Sequence, residues 1–396
     1  MNPVSLSDHH YETINLEEFS MASFESLGVK HIVNASANNS KAGSSCQSPE
    51  VIAAMGAAAR QYVDMDELHQ QCGEFIARNT GAEAGLVTTG ACGGLLLAAA
   101  ACVTGNNIAK ILDLPRSAAG CEVIVQKGHR SGYDQAVMTA GVTLTEVGLP
   151  FRTYPEQIEM AINEHTVAIL FTIGEFICSR GEVPLSDVIR IGKSNNIPVI
   201  LDGSLIVYPF KGLQEYIGMG VDLLVTSGGK HVGAPPGTGF LCGRKDLVEA
   251  CRLQAGPAFG IGRPLKIGKE EIIGLITALE IYLKRDQEKE IRDWSRRVKK
   301  IYQGLENLPH LHASVTLNDE VGRPVPRVRI ELDEKSLGTN AFNIAERLRK
   351  EPPYIWVQEF ILSEGVLWIN PVCLTEGDEE MIIAGFTALW KNLGFE

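Results

Sequence analysis

Residues 223–243 read LLVTSGGKHVGAPPGTGFLCG. Two apolar runs flank a glycine-rich turn that carries a single lysine, Lys230. Small side chains let the backbone turn tightly there, and a long cationic side chain in such a place is costly unless it has chemical work. The flanking runs, Asp222–Thr226 and Thr238–Leu241, are predicted strands because they are short, apolar and not period-two.

Upstream the same kind of run recurs at Gly85–Val87, Glu122–Val125, Thr143–Val147, Val167–Thr172 and Val199–Leu201. Helical patterns separate these runs at Leu95–Val103, Tyr133–Ala140, Pro155–Asn163, Leu185–Asn195 and Leu213–Met219. Strands that are apolar on both faces and linked by helices predict an α/β fold, a mainly parallel sheet sandwiched by helices. In such a sheet ligands collect at the carboxyl ends of the strands. Ala84–Val103 is uncharged and as long as a membrane span, but Gly90, Gly93 and Gly94 divide it into buried strand, turn and buried helix. No membrane association is expected.

Toward the N-terminus, the Ser/Asn/Gly-rich loop ASANNSKAGSSCQSPE leads to helical patterns at Glu50–Tyr62 and Met65–Asn79, with Pro49 as a start signal. Toward the C-terminus, residues 269–306 read as one long helical region. Strands at Val325–Leu332, Tyr354–Leu362 and Val366–Asn370 and helices at Asn340–Lys350 and Glu376–Leu393 then predict a smaller C-terminal α+β domain. The expected division is an N-terminal segment, 1–80, packing on the small domain and a partner subunit; a large domain, 81–268; and a linking helix with the small domain, 269–396.

Composition narrows the functional classes. A chain of 396 residues with 45% hydrophobic content builds a substantial core, and 40 glycines without repeats suit many tight strand-to-helix turns. A net charge of −12 opposes general binding of a polyanion, so a nucleic-acid partner is not expected. Nine scattered cysteines without a C-x-x-C pair suggest neither a disulfide framework nor a zinc site, and no signal-peptide pattern opens the chain. A cytoplasmic location is expected. His310-x-His312 has metal-like spacing but no further ligand, and reads as loop.

Three stretches carry chemistry. Thr88-Thr89-Gly90-Ala91-Cys92-Gly93-Gly94 follows a strand and opens a helix, a turn whose free N–H groups and dipole suit a phosphate, although tight helix–strand packing explains it equally well. Pro198–Ser204 is an apolar strand ending in Asp202, a position for a turn cap or, alternatively, for a carboxylate that keeps a pyridine nitrogen protonated. Ser227-Gly228-Gly229-Lys230 is the third. Between Asp202 and Lys230 there is room for one helical crossover and one further strand, so both emerge at the same edge of the sheet. A P-loop is excluded: the G-x-x-x-x-G-K-[ST] spacing is missing and His231 follows the lysine.

The order phosphate cup, strand-end aspartate, S-x-x-K resembles the fold-type I pyridoxal-phosphate enzymes. Longer stretches, among them GVKHIVNASANNSKAG, TGAEAGLVTTGACGGLLLAAAA, GEVPLSDVIRIGKSNNIPVILDGS and GIGRPLKIGKEEIIGLITALEIYL, are similar to one branch of them. That branch holds bacterial selenocysteine synthase (L-seryl-tRNA selenium transferase) and the D-glucosaminate-6-phosphate ammonia-lyases, the latter looking closer. The resemblance implies that Lys230 binds pyridoxal 5'-phosphate covalently, that Asp202 pairs with its ring nitrogen, and that Gly90, Ala91, Cys92 and Ser227 hold its phosphate. It implies that His129, in KGHRSGYD, stacks on one ring face and Ser204 touches the other. Substrate contacts are expected from Glu175, from Arg263, Lys266 and Lys269, which face the active site of this or of a partner subunit or else stand as helix-end charges, and from Arg327 and Arg329, two arginines on one face of a strand. A solvated strand face is the equally good alternative for that pair.

The activity implied is a lyase acting on a small polar or anionic amino acid, with Lys230 removing the Cα proton and a β-substituent leaving, to give a 2-keto acid and ammonia. β-Replacement by a transferase, racemisation and transamination share the early steps, and a non-catalytic cofactor-binding regulator is the alternative of another class. A homodimer is implied because fold-type I sites are usually completed by a second subunit.

Overall fold

The computed structural model describes residues 23–173, 181–205, 211–319 and 322–395. After a short strand β1 (Val33–Ala35), seven strands build the main sheet: β2 (Ala84–Thr88), β3 (Glu122–Gln126), β4 (Thr143–Val147), β5 (Thr166–Thr172), β6 (Val199–Asp202), β7 (Leu223–Ser227) and β8 (Gly239–Gly243). Their spatial order is β2-β8-β7-β6-β5-β3-β4. β4, β3, β5, β6 and β7 run parallel, whereas β8 lies antiparallel between β7 and β2. The sheet is therefore mostly parallel, with the Lys230 turn as the loop of its antiparallel β7–β8 hairpin.

The apolar runs are continuous because both faces of the sheet are covered. Val123–Val125, Val199–Leu201 and Leu223–Val225 are fully buried, and two hydrophobic cores lie on the opposite faces. Each such side chain contributes roughly 1.5–3 kcal/mol of transfer free energy. Local signals set the ends of the covering helices. Ser48 accepts the Val51 N–H at the start of α1 (Pro49–Ala59). Asp64 accepts two N–H groups at the start of α2 (Met65–Thr80), which Gly81 ends in a left-handed conformation with φ of 78°.

The helix α3 (Gly90–Thr104) begins at Gly90, five residues ahead of the expected Leu95. Gly93 and Gly94 belong to its first turns, where a Cβ on Gly94 would lie 2.6 Å from Val225 Cγ1. The glycines that read as a break are what allow the helix to press onto the sheet. The helical region 269–306 is two helices, Lys269–Leu283 and Gln287–Leu305. Among the described residues no helix is long and apolar enough to cross a membrane.

The C-terminal part contains β9 (Leu311–Thr316), β10 (Arg327–Leu332), β11 (Ile355–Val357) and β12 (Val366–Ile369). β12, β10 and β9 form a small antiparallel sheet, over which helices Gln287–Leu305, Ala341–Lys350 and Asp378–Asn392 close a separate core around Phe386 and Trp390. His312, expected in a loop, is a residue of β9 opposite Glu331, and among the described residues no cluster able to hold a metal occurs. The strand expected over Tyr354–Leu362 shortens to β11, which pairs in parallel with β1. The N-terminal strand thereby packs in the C-terminal core, and the adjoining parallel bridge Ser36↔Asn370 joins it to the residue that follows β12.

Candidate active site

Three parallel strands end side by side, β5 at Thr172, β6 at Asp202 and β7 at Ser227, with Thr172 opposite Asp202 and Asp202 opposite Val225. Asp202 is only 4% exposed, and its Oδ1 accepts the Ser204 N–H at 3.1 Å. Burial pushes its carboxyl above the ordinary carboxylate range, while the Ser204 N–H and the charge of Lys230 pull the other way. A buried carboxylate with one backbone donor fits a cationic ring nitrogen as its partner.

Lys230 stands in a loop closed by backbone bonds: Gly228 N–H to Thr238 O at 2.9 Å, Gly233 N–H to Lys230 O at 2.9 Å and Ala234 N–H to Gly228 O at 3.0 Å. Gly229 packs so tightly that a Cβ would fall 2.6 Å from Pro236 Cα. The backbone is thus fixed while the side chain of Lys230 reaches the cavity wall.

The Gly90–Cys92 turn meets the strand pair that closes this loop. Gly239, register partner of Ser227, approaches so closely that a Cβ would lie 2.6 Å from the Gly90 carbonyl carbon. No side chain caps α3, which leaves its first N–H groups available, and Gly90 takes φ of 65° there. Cys92 lies within electrostatic range of both key groups: partial desolvation raises its thiol pKa, the charge of Asp202 adds to the rise and Lys230 opposes it. An uncapped helix start and Ser227, which meet at Gly239, and Asp202 and Lys230, which share the cavity, supply the donors and acceptors that a phosphorylated pyridine aldehyde needs, although Gly90–Cys92 and Ser227 do not line that cavity.

A cavity of about 430 Å³ contains Lys230, Asp202, Ser204 and Thr172. Its remaining walls come from the loop Ser36–Lys41, from Ser131 and Tyr133, and from Arg323, Val325, Phe360 and Val372 of the C-terminal part. A larger open groove of about 690 Å³, between α2, the β2 edge and helix Lys245–Gln254, contains none of the residues singled out from sequence.

Several expected residues are elsewhere. His129 is wholly buried, its Nε2 2.7 Å from Glu182 Oε2 and its Nδ1 accepting the Thr172 N–H at 3.4 Å. Phe171 meets its ring edge-on at 4.6 Å, and Ser131 and Tyr133, not His129, represent this loop in the cavity. Arg327 and Arg329 do share one face of β10, but that face is covered by Trp368, at 4.4 and 5.9 Å from their guanidinium carbons. Arg329 also pairs with Glu331 at 2.5 Å. Arg263, in a short turn at Arg263–Leu265, and the exposed Lys266 do not line the cavity. Lys269 turns to Ala59 O at 3.3 Å and Glu270 at 3.5 Å. Glu175 lies outside the described residues.

Two cationic residues of the cavity were not anticipated. Arg323 holds Asp319 at 2.5 Å and Leu205 O at 2.5 Å with a side chain 11% exposed, and Lys41 extends from the N-terminal loop. A faint signal existed for the arginine: Gly322-Arg323-Pro324 is a turn ahead of a strand, where side chains leave the sheet plane.

The chain is similar to known proteins over most of its length. The family model described as L-seryl-tRNA selenium transferase (SelA) matches residues 36–307. The chain is 35% identical over 378 residues to a 5'-C-glycyluridine monooxygenase-decarboxylase of a Streptomyces species, covering 94% of this chain and 92% of that protein. It is 31% identical over 366 residues to a D-glucosaminate-6-phosphate ammonia lyase of Salmonella typhimurium, covering 91% and 96%. A solved structure of D-glucosaminate-6-phosphate ammonia-lyase superposes with a TM-score of 0.83 at 29% identity, over 95% of this chain and 100% of that one. The aspartate aminotransferase from Thermus thermophilus superposes with a TM-score of 0.55 at 18% identity, over 92% and 93%, a likeness of fold alone.

Proposed function

Because the chain belongs to the L-seryl-tRNA selenium transferase (SelA) family and has the fold-type I architecture of pyridoxal-phosphate enzymes, we propose that it is a pyridoxal-phosphate-dependent lyase. Its substrate is a small polar or anionic amino acid, from which Cα deprotonation and β-elimination give a 2-keto acid and ammonia. The observation that carries this reading is the convergence of Lys230 and the buried Asp202 on one cavity at adjoining strand ends.

In this reading Lys230 is the attachment residue, Asp202 faces the ring nitrogen, Ser204 lies against the ring, and the N–H groups of Gly90–Cys92 with the Ser227 hydroxyl take the phosphate. When bound, the cofactor supplies an electron sink for the pair left at Cα. Asp202, kept from water, holds a negative charge where that sink needs a proton retained. Lys230, once released as an amine, takes the Cα proton. Arg323, fixed by Asp319 and Leu205 O, binds the substrate carboxylate, and Lys41 meets an anionic or polar distal group. Val325, Phe360 and Val372 exclude water from the reacting carbon. His129 supports the Thr172 end of β5 from behind. A hydroxyl, phosphate or sulfur group leaves from Cβ with its electron pair, and water converts the released enamine to keto acid and ammonia. The ammonia lyase named above, similar over most of both chains, supports this outcome.

A homodimer belongs to the same reading. Phe259 is 80% exposed and Leu265 38%, and Leu265 lies near the first turn of α3, which suits burial by a second copy beside the phosphate turn.

A second reading is favoured by the 35% identity to the monooxygenase-decarboxylase: loss of the substrate carboxylate with consumption of dioxygen. One screen separates the two. Hydroxylated, phosphorylated, sulfur-bearing and nucleoside-bearing amino acids are assayed for keto acid and ammonia, and in parallel for oxygen uptake and carbon dioxide. Borohydride reduction followed by peptide mass analysis tests the common premise, since a pyridoxyl group anywhere but Lys230, or none, removes both readings.

A further inference from the structure

The helices Lys269–Leu283 and Gln287–Leu305 are separated by Lys284, Arg285 and Asp286, and Asp286 caps the second helix. Arg285 stands at this break and reaches across to the Lys230 loop. Its Nη1 donates to His231 O at 3.0 Å and its Nη2 to Val232 O at 3.4 Å. The same Nη1 lies 3.6 Å from Glu290 Oε1, and the guanidinium carbon is 5.3 Å from the centre of the Tyr282 ring. Gly233 makes room for it: a Cβ there would sit 3.3 Å from Nη2, and the residue takes φ of 76°.

The carbonyls it holds belong to the two residues that follow Lys230. The neighbouring backbone bonds, Gly233 N–H to Lys230 O and Ala234 N–H to Gly228 O, close the loop on itself. From outside the hairpin, Ser45 and Gln47 donate to Ala234 O at 3.0 and 3.4 Å, and Arg285 anchors the two residues next to the lysine. The second helix also sets Trp294 edge-on to His231 at 5.5 Å, and further along places Val298, Ile301 and Leu305 in the small-domain core. One helix therefore touches the residue next to the lysine and carries the domain that contributes Arg323. The positive charges of Arg285 and Arg323 add to burial in holding the His231 imidazole neutral, down to about 3.

We infer that Arg285 is a positioning residue for Lys230, locking the two carbonyls that follow it and tying their loop to the root of the helix that bears the small domain. The inference rests on Lys230 being the cofactor's attachment point. A lysine that must both attach the cofactor and take a proton from Cα works within a narrow geometry, and a displacement of about 1 Å costs on the order of a hundredfold in rate.

The test uses the full chain loaded with pyridoxal phosphate, as wild type, Arg285→Ala and Arg285→Lys. Two readouts are taken: the pH titration of the cofactor's visible absorbance, and amide hydrogen exchange over residues 228–238. For Arg285→Ala the titration midpoint rises by about half a unit as a nearby cation is lost, and exchange in the loop accelerates about tenfold as two hydrogen bonds go. Arg285→Lys keeps the charge but not the two-carbonyl grip, so it restores the midpoint and leaves the loop fast. An unchanged midpoint and unchanged exchange in Arg285→Ala overturn the inference. So does a lowered Tm with an unchanged midpoint, which makes the residue a structural support only. If borohydride places the label of the wild-type protein elsewhere than Lys230, the attachment assignment itself fails and the inference falls with it, whatever the variants do.

Discussion

Replacing Asp202 by Asn separates two effects of opposite sign. The carboxyl is 4% exposed and burial raises its pKa, so the folded chain without cofactor binds that proton more tightly than the unfolded chain does. Its contribution to stability is therefore present at low pH and is lost as pH rises through the folded pKa. Asparagine has the same shape and no charge, so cofactor-free Asp202→Asn is at least as stable as wild type at pH 7.5 and lacks the gain on acidification. With cofactor bound the sign reverses, because the variant leaves a buried ring cation without its partner. Breaking a buried pair costs about 3–5 kcal/mol, which at roughly 1.4 kcal/mol per decade is a two- to four-decade loss of affinity. Thermal unfolding of both apo-proteins between pH 5 and 8, with absorbance titration of pyridoxal phosphate, measures both arms. A variant that binds the cofactor within threefold of wild type refutes the role given to Asp202.

Other perturbations test the surrounding frame. Arg323→Ala raises KM for an amino-acid substrate by roughly 1.5–3 kcal/mol equivalent, the worth of a hydrogen bond to a charged group. Arg329→Ala, whose ion pair with Glu331 is 29% and 51% exposed, leaves KM and stability close to wild type; equal effects of the two would return the carboxylate to β10. Gly239→Ala puts a methyl 2.6 Å from Gly90 C and from Thr226 O, costing about 1–3 kcal/mol and weakening phosphate binding, which competition by inorganic phosphate against the cofactor reads directly. His69 is 4% exposed with both ring nitrogens unpartnered among the described residues, and burial lowers its pKa. Its folded pKa lies below the unfolded value, so wild type loses stability as pH falls below about 6.5. His69→Leu lessens that slope, and the buried His231 keeps the rest of it; a slope left unchanged by the substitution refutes the part given to His69.

The strand-end placement of Asp202 and the glycine-framed Lys230 were legible because they follow from short-range rules. Apolar runs linked by helical crossovers make parallel neighbours, and parallel neighbours end on the same side. Start signals at Ser48, Pro49 and Asp64 are equally local. The start of α3 is not legible in the sequence, because glycine's low helix propensity is outweighed by the close approach it permits to Val225. Strand alternation places Arg327 and Arg329 on one face, yet that face belongs to Trp368, a cross-strand neighbour with no trace in the local pattern.

By itself, then, the sequence determined the layered α/β scaffold and the aspartate and lysine at one edge of it, since periodicity, turn chemistry and crossover length act within a few tens of residues. Only the tertiary structure decided what faces that edge. The pairing of β1 with β11 brings Lys41 in, a turn in the C-terminal part brings Arg323, and the break between two long helices brings Arg285 onto the lysine's loop. These contacts join segments far apart in the chain, and whether an arginine meets a cavity, a tryptophan or a carbonyl depends on strand register and packing that no local pattern encodes.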